Sequence, residues 1–195
     1  MKQSTLLWLF TICAATSCQS QPSSIVFDGY VLVFPITVRE AVERYKLSYS
    51  PPGYYYRRQG GQTLSIYIAY NPGDYDNELQ PKEVLYDREV ISYVFTYDGD
   101  ESKPDAVKTK VEALCRCRLT FREDSLSPDR NPVFLPSTIK QLPRQGTHSY
   151  ATAPLGNDVV VGFRNKPNVK GEVIPEVKFF YRQAPEQIQK AMMTY

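Results

Sequence analysis

Glycine pairs and Gly-containing turns set between alternating apolar runs constrain this chain more than any other feature. Gly60-Gly61 separates Tyr54–Gln59 from a run in which Leu64, Ile66, Ile68 and Tyr70 fall on one side. Alternation puts successive side chains on opposite faces of a strand, and glycine accepts the positive φ of a tight hairpin. Asp28-Gly29 interrupts the apolar run Ile25–Phe34 in the same way, as a tight turn or bulge. Further strands are predicted at 83–86 and 89–97, with Ile91, Tyr93, Phe95 and Tyr97 on one side, and at 158–164 and 173–182. In 114–122, Cys115, Cys117, Leu119 and Phe121 alternate with Arg116, Arg118, Thr120 and Arg122, which also reads as a strand.

Helices are fewer. Thr37 followed by Glu40 matches a capping box, in which hydroxyl and carboxylate satisfy two orphan backbone donors, and Val38, Ala41, Val42 and Tyr45 follow at helical spacing over 38–47. A second helix is expected at 104–113 with Val107, Val111 and Leu114 buried. A third starts at Pro185 with Ile188, Ala191 and Met192 as its apolar stripe. Residues 123–157 read as a long connection with one short strand near Val133–Leu135. The fold class is therefore α+β: a mostly antiparallel sheet of about 6–8 strands with two or three short helices, in one domain over 25–195. The 42% hydrophobic content supports a folded core, and the 15 tyrosines favour sheet.

The N-terminus is different in kind. Lys2 precedes a short apolar stretch, Leu6 to Ile12, and then the small residues Ala14 to Ser17. That is the layout of an export signal, too short to cross a bilayer as a helix. Ala15-Thr16-Ser17-Cys18 resembles the lipobox of bacterial lipoproteins, although that family usually has Leu at the place of Ala15. The resemblance implies removal of residues 1–17, acylation of Cys18, a tether over 18–24, and a domain held at the membrane by an N-terminal lipid. Gln19, rather than Asp, implies the outer membrane, facing the periplasm. Cleavage by an ordinary signal peptidase, giving a secreted protein, is the other outcome.

Several chemistries are disfavoured. A net charge of +2 gives no electrostatic case for nucleic acid. The single histidine, His148, excludes a multi-histidine metal site, and no Gly-x-Ser-x-Gly elbow or phosphate-binding glycine loop occurs. No pattern asks for a cofactor. Two acidic groups, Asp74, Asp76, Asn77 and Glu78, and Asp98, Asp100 and Glu101, lack the calcium-loop spacing. Cys115 and Cys117 admit buried thiols, a strained or intermolecular disulfide, or metal or redox work.

The binding residues with the best claim are tyrosines. Tyr54, Tyr55, Tyr56, Tyr67, Tyr70 and Tyr75 gather about one hairpin, and alternation must turn some of them outward. Exposed tyrosine rings are favoured at recognition surfaces. Tyr54, Tyr56 and Tyr67, with Arg116 and Arg118 as a basic stripe, form a candidate binding face; packing of the rings within the sheet and cross-strand ion pairs of the arginines, with no partner, is the other reading. The short helix followed by this hairpin loosely resembles small outer-membrane assembly lipoproteins. The expectation is a non-catalytic envelope protein with a protein partner, a toxin-immunity lipoprotein being one version. A periplasmic hydrolase with its site near His148 is the alternative.

Overall fold

The computed structural model describes residues 23–50, 54–68, 85–98, 103–124, 148–167 and 173–193, with backbone alone at 122–124, 148–149, 167 and 193. The chain opens with a hairpin, β1 (Ser23–Phe27) and β2 (Tyr30–Phe34). Asp28 and Gly29 both have positive φ, 49° and 82°, the two-residue turn whose twist suits flanking strands. Helix α1 (Val38–Tyr45) follows, and its capping box is formed: Thr37 Oγ1 accepts from Glu40 N at 3.3 Å while Glu40 Oε2 accepts from Thr37 N at 2.9 Å.

Then come β3 (Ser48–Ser50), β4 (Tyr54–Gln59), β5 (Gln62–Ile68), β6 (Val90–Tyr97), α2 (Pro104–Cys115), β7 (Thr120–Asp124), β8 (His148–Gly156), β9 (Val159–Pro167), β10 (Val173–Tyr181) and α3 (Pro185–Met193). β3 to β10 make one antiparallel sheet of eight strands, in the order β3-β4-β5-β6-β10-β9-β8-β7. Two four-stranded meanders, each followed by a helix, thus meet where β6 pairs β10, with Tyr93 opposite Phe179 and Val94 opposite Lys178.

One face of the sheet carries the core. The β1–β2 hairpin, α1 and α2 cover it, so Phe27, Phe34, Val38, Ala41, Val107 and Val111 meet Leu64, Tyr93, Phe95, Val161 and Phe179. Ring contacts weld hairpin to sheet: Phe27 lies 5.0 Å from Phe95 and 4.9 Å from Phe179, and Phe34 stacks on Tyr181 at 5.0 Å. Each fully buried ring of this size is worth roughly 1.5–3 kcal/mol. α3 lies on the opposite face, where Ile188 and Met192 pack on Tyr150 and Phe180.

Six expectations need correction. Strand β1 starts at Ser23, inside the expected tether 18–24, and Ser23 Oγ donates to Asn157 O at 3.2 Å. Of the expected strand 83–86, residues 83 and 84 lie outside the described residues, Leu85 is helical and Tyr86 begins a turn running to Arg88, because the turn's carbonyls serve α1: Val38 N donates to Arg88 O (2.9 Å) and Arg39 N to Tyr86 O (3.0 Å). Ile91 leaves the core face because a bulge places Val90, not Ile91, opposite Ile68. The predicted strand 114–122 is helix as far as Cys115, closed by Arg116 in the left-handed region, and only 120–124 is strand. The buried stripe of α2 consequently runs Val107, Val111 and half-buried Cys115, leaving Leu114 47% exposed. Finally, β8 occupies residues assigned to the long connection, and β8 and β9 join through Asn157 and Asp158, both at positive φ (49° and 62°). The remainder of that connection, with Val133–Leu135, lies outside the described residues.

Candidate functional site

Register decides which tyrosines face outward. Tyr55 pairs with Ile66 and is buried with it, so Tyr54 and Tyr56 turn to the other face, which Ser65 and Tyr67 share. Tyr54 is 42% and Tyr67 47% exposed, and the Tyr54 and Tyr56 rings stack at 5.3 Å and 21°. The same face carries Ser48 and Ser50 on β3, Thr63 on β5, and Ser92 and Thr96 on β6. α3 rests on β8 and β9 of the other half, and on this half Ser65, Ser92 and Val94 are themselves buried between the rings and their neighbours. Tyr70 and Tyr75 lie outside the described residues.

Arg116 and Arg118 do not join this face. Arg116 closes α2, which packs on the core side, and both arginines lead into β7, at the far end of the strand order from β3 and β4. Six inter-strand spacings separate β4 from β7, about 29 Å. The basic stripe expected across Arg116, Arg118 and Arg122 is broken by the helix end, since alternation needs a strand and only Arg122 is on one.

Where α3 meets the tyrosine-bearing half, the structure buries three charges that sequence reasoning missed. Arg164 Nε donates to Glu176 Oε1 at 2.6 Å, and Lys178 Nζ lies 3.2 Å from the same oxygen. Arg164 Nη1 also donates to Met192 O (2.6 Å) and Lys178 Nζ to Ala191 O (2.9 Å). Two cations thus share one carboxylate and the carbonyls at the C-terminal end of α3, the negative pole of its dipole. Lys178 Nζ further sits 5.4 Å from the centre of the Tyr67 ring. Burial pulls the Lys178 ammonium down to about 8 despite the attraction of Glu176. Burial alone would raise the Glu176 carboxyl, but Lys178 and Arg164 outweigh it and hold the group below the ordinary carboxylate value. A sequence signal existed: Glu176 and Lys178 are two apart in an otherwise apolar strand, hence on one face.

A polar cleft of about 530 Å³ opens between the β1–β2 turn, the end of α1 and the β4–β5 turn, with Arg44, Arg57, Val31 and Gln62 in its lining. At its wall Asp28 accepts from Tyr97 Oη (2.8 Å), Gln62 Nε2 (2.5 Å) and Lys110 Nζ (3.2 Å). That carboxylate is therefore a structural tie between hairpin, sheet and α2.

The remaining candidates divide plainly. Cys115 and Cys117 are free thiols. Burial first, and then Cys117, pushes the Cys115 thiol up to about 12, and burial with Glu112 also raises Cys117, so neither is a thiolate near neutral pH. Among the described residues no group of three or more His, Cys, Asp or Glu could hold a metal ion. Asp98 is paired with Arg58 at 2.6 Å, and its expected companions Asp100 and Glu101, like Asp74 to Glu78, lie outside the described residues. His148 belongs to β8, opposite Asp124, rather than to a loop. Cys18 lies outside the described residues, and among those described no helix is long and apolar enough to cross a membrane. No family model, no curated protein and no solved structure matches this chain.

Proposed function

We propose that this chain is a cell-envelope protein, tethered to the outer membrane by a lipid on Cys18, that works without chemistry of its own by binding a protein partner. The observation that carries the reading is the exposure of Tyr54 and Tyr67, with half-buried Tyr56 stacked on Tyr54, on the face of the sheet turned away from the core. Rigid rings among short hydroxyl side chains provide contact area and adaptable hydrogen bonds at little entropic cost. The lipobox-like Ala15-Thr16-Ser17-Cys18 supports the anchor.

Photo-crosslinking in native cells tests this. A photoreactive aromatic residue is placed at Tyr54 or Tyr56, with Glu186 on the exposed side of α3 as control. A discrete adduct from the two tyrosine positions and none from Glu186 is expected. A Tyr54→Ala variant should weaken binding of the identified partner by roughly 30-fold if the ring is a central anchor. Absence of any adduct at both tyrosine positions refutes the binding role. Intact mass of the purified chain reads the anchor separately, as an acylated N-terminal Cys18.

A further inference from the structure

The β1–β2 hairpin turns Phe27, Leu32 and Phe34 into the core and leaves its other side bare. Val26 and Val31 are directly opposite in register and are 65% and 48% exposed, Val26 being the most exposed large hydrophobic among the described residues. Together they offer roughly 180 Å², far below the ~800 Å² each partner gives to a stable protein interface. A second protein is thus a poor occupant.

Chain length points to a better one. Ser23, the first residue of β1, follows Cys18 by five positions, which reach about 18 Å at most when fully extended. An acyl chain on Cys18 therefore confines the start of this hairpin to the neighbourhood of the headgroups. Beside Val31, the polar cleft carries Arg44 and Arg57. Apolar side chains bordered by cations suit the boundary between anionic headgroups and acyl chains.

We propose that in the anchored protein the Val26–Val31 face of the hairpin rests on the bilayer, with the cleft arginines at headgroup level. The hairpin and the tyrosine face lie on opposite sides of the eight-stranded sheet, so this orientation turns Tyr54 and Tyr56 into the aqueous compartment. The inference rests on acylation of Cys18 and adds to it the surface by which the domain meets the lipid.

Tryptophan fluorescence tests it cleanly. The only tryptophan, Trp8, is in the segment removed before Cys18, so Val26→Trp gives the mature protein a single reporter. The purified lipidated protein is inserted into phosphatidylethanolamine–phosphatidylglycerol vesicles with and without brominated acyl chains. Brominated lipid should quench Val26→Trp emission about twofold or more, as for a ring at the interface, and leave a Glu186→Trp control unchanged. Val31→Trp repeats the measurement should Val26→Trp disturb the fold by circular dichroism. Equal quenching of hairpin and control reporters, with acylated Cys18 confirmed by mass, overturns the orientation and leaves the anchor standing. A Cys18 without acyl chains removes the anchor and the orientation together.

Discussion

Replacing Glu176 by Gln should loosen α3 and cost this protein a large part of its stability. The variant keeps the shape but takes the one carboxylate from between Arg164 (2.6 Å) and Lys178 (3.2 Å), all three side chains being nearly inaccessible to water. Breaking a buried ion pair by removing one partner costs about 3–5 kcal/mol, because the surviving charge stays desolvated. For a domain of this size that corresponds to a fall in Tm of roughly 10 °C at pH 7. The pH dependence gives a second signature. In the wild type the folded Lys178 titrates near 8 against an ordinary 10.5, so the unfolded chain binds the extra proton and stability rises as pH climbs through that window. Without Glu176 the ammonium loses its main attraction and deprotonates at lower pH still. At pH 9.5 only Arg164 then lacks its carboxylate, and the deficit shrinks without vanishing. Differential scanning calorimetry from pH 6.5 to 9.5 measures both effects, and amide exchange of α3 localises them, since Arg164 and Lys178 donate to Met192 O and Ala191 O. A Tm within about 2 °C of wild type at pH 7, or a deficit that grows with pH, refutes the account.

Tyr93→Phe should destabilise by about 1–2 kcal/mol in urea melts, because the hydroxyl donates to Val33 O at 3.0 Å and meets Tyr45 Oη at 3.3 Å inside the core; an unchanged midpoint counts against that network. Gly162→Val should cost about 1–3 kcal/mol, since even a Cβ there would come within 2.8 Å of Met192 Sδ and 3.2 Å of Phe180 Cε2 beneath α3. Limited proteolysis would then release the α3 segment first, and wild-type resistance would show that the helix can shift to make room. Cys115 should react with a maleimide at pH 7.5 at least about tenfold more slowly in the native protein than in denaturant, because burial and Cys117 hold its thiol protonated. Equal rates would mean the end of α2 opens freely.

The fold class was legible because strand and turn signals are local. Asp28-Gly29 and Gly60-Gly61 both mark two-residue turns, and Thr37 with Glu40 marks the start of α1. What failed depended on competition between elements. The alternation of Cys115, Cys117, Leu119 and Phe121 fits a strand, yet the helical stripe Val107–Val111 continues to Cys115 once packed on the core. The turn at Tyr86–Arg88 has no strand partner because its carbonyls are taken by the first amides of α1. Gly156-Asn157-Asp158 carried the signal for the β8–β9 hairpin, flanked by Ala151, Ala153, Val159 and Val161, but a proline-rich neighbourhood hid it. In the candidate site, period-two alternation was sufficient to place Tyr54, Tyr56 and Tyr67 on one face. It could not place Arg116 and Arg118, whose position is set by a helix end, nor reveal that Arg164 on β9 would meet Glu176 on β10.

The two halves of the sheet share a topology and differ in what they present to the side bearing α3. The second half shows Tyr150, Val160 and Phe180, an apolar floor that an amphipathic helix can cover. The first shows Tyr54, Tyr56, Tyr67 and Arg58 among Ser48, Ser50, Thr63 and Thr96, with Val94 as its one aliphatic side chain among the described residues paired there, a floor with too little aliphatic surface to hold such a helix permanently. For the binding role proposed above, its complement would be a partner that brings polar groups and retains interfacial water, as reversible interfaces do. Tyr67 stands at the border, its ring against Lys178 and so against the network under α3. Substituting it would perturb the helix as well as the face. Tyr54 and Tyr56, one strand further out on β4 and without contact to Lys178, are the positions at which loss of the proposed binding can be read apart from loss of structure.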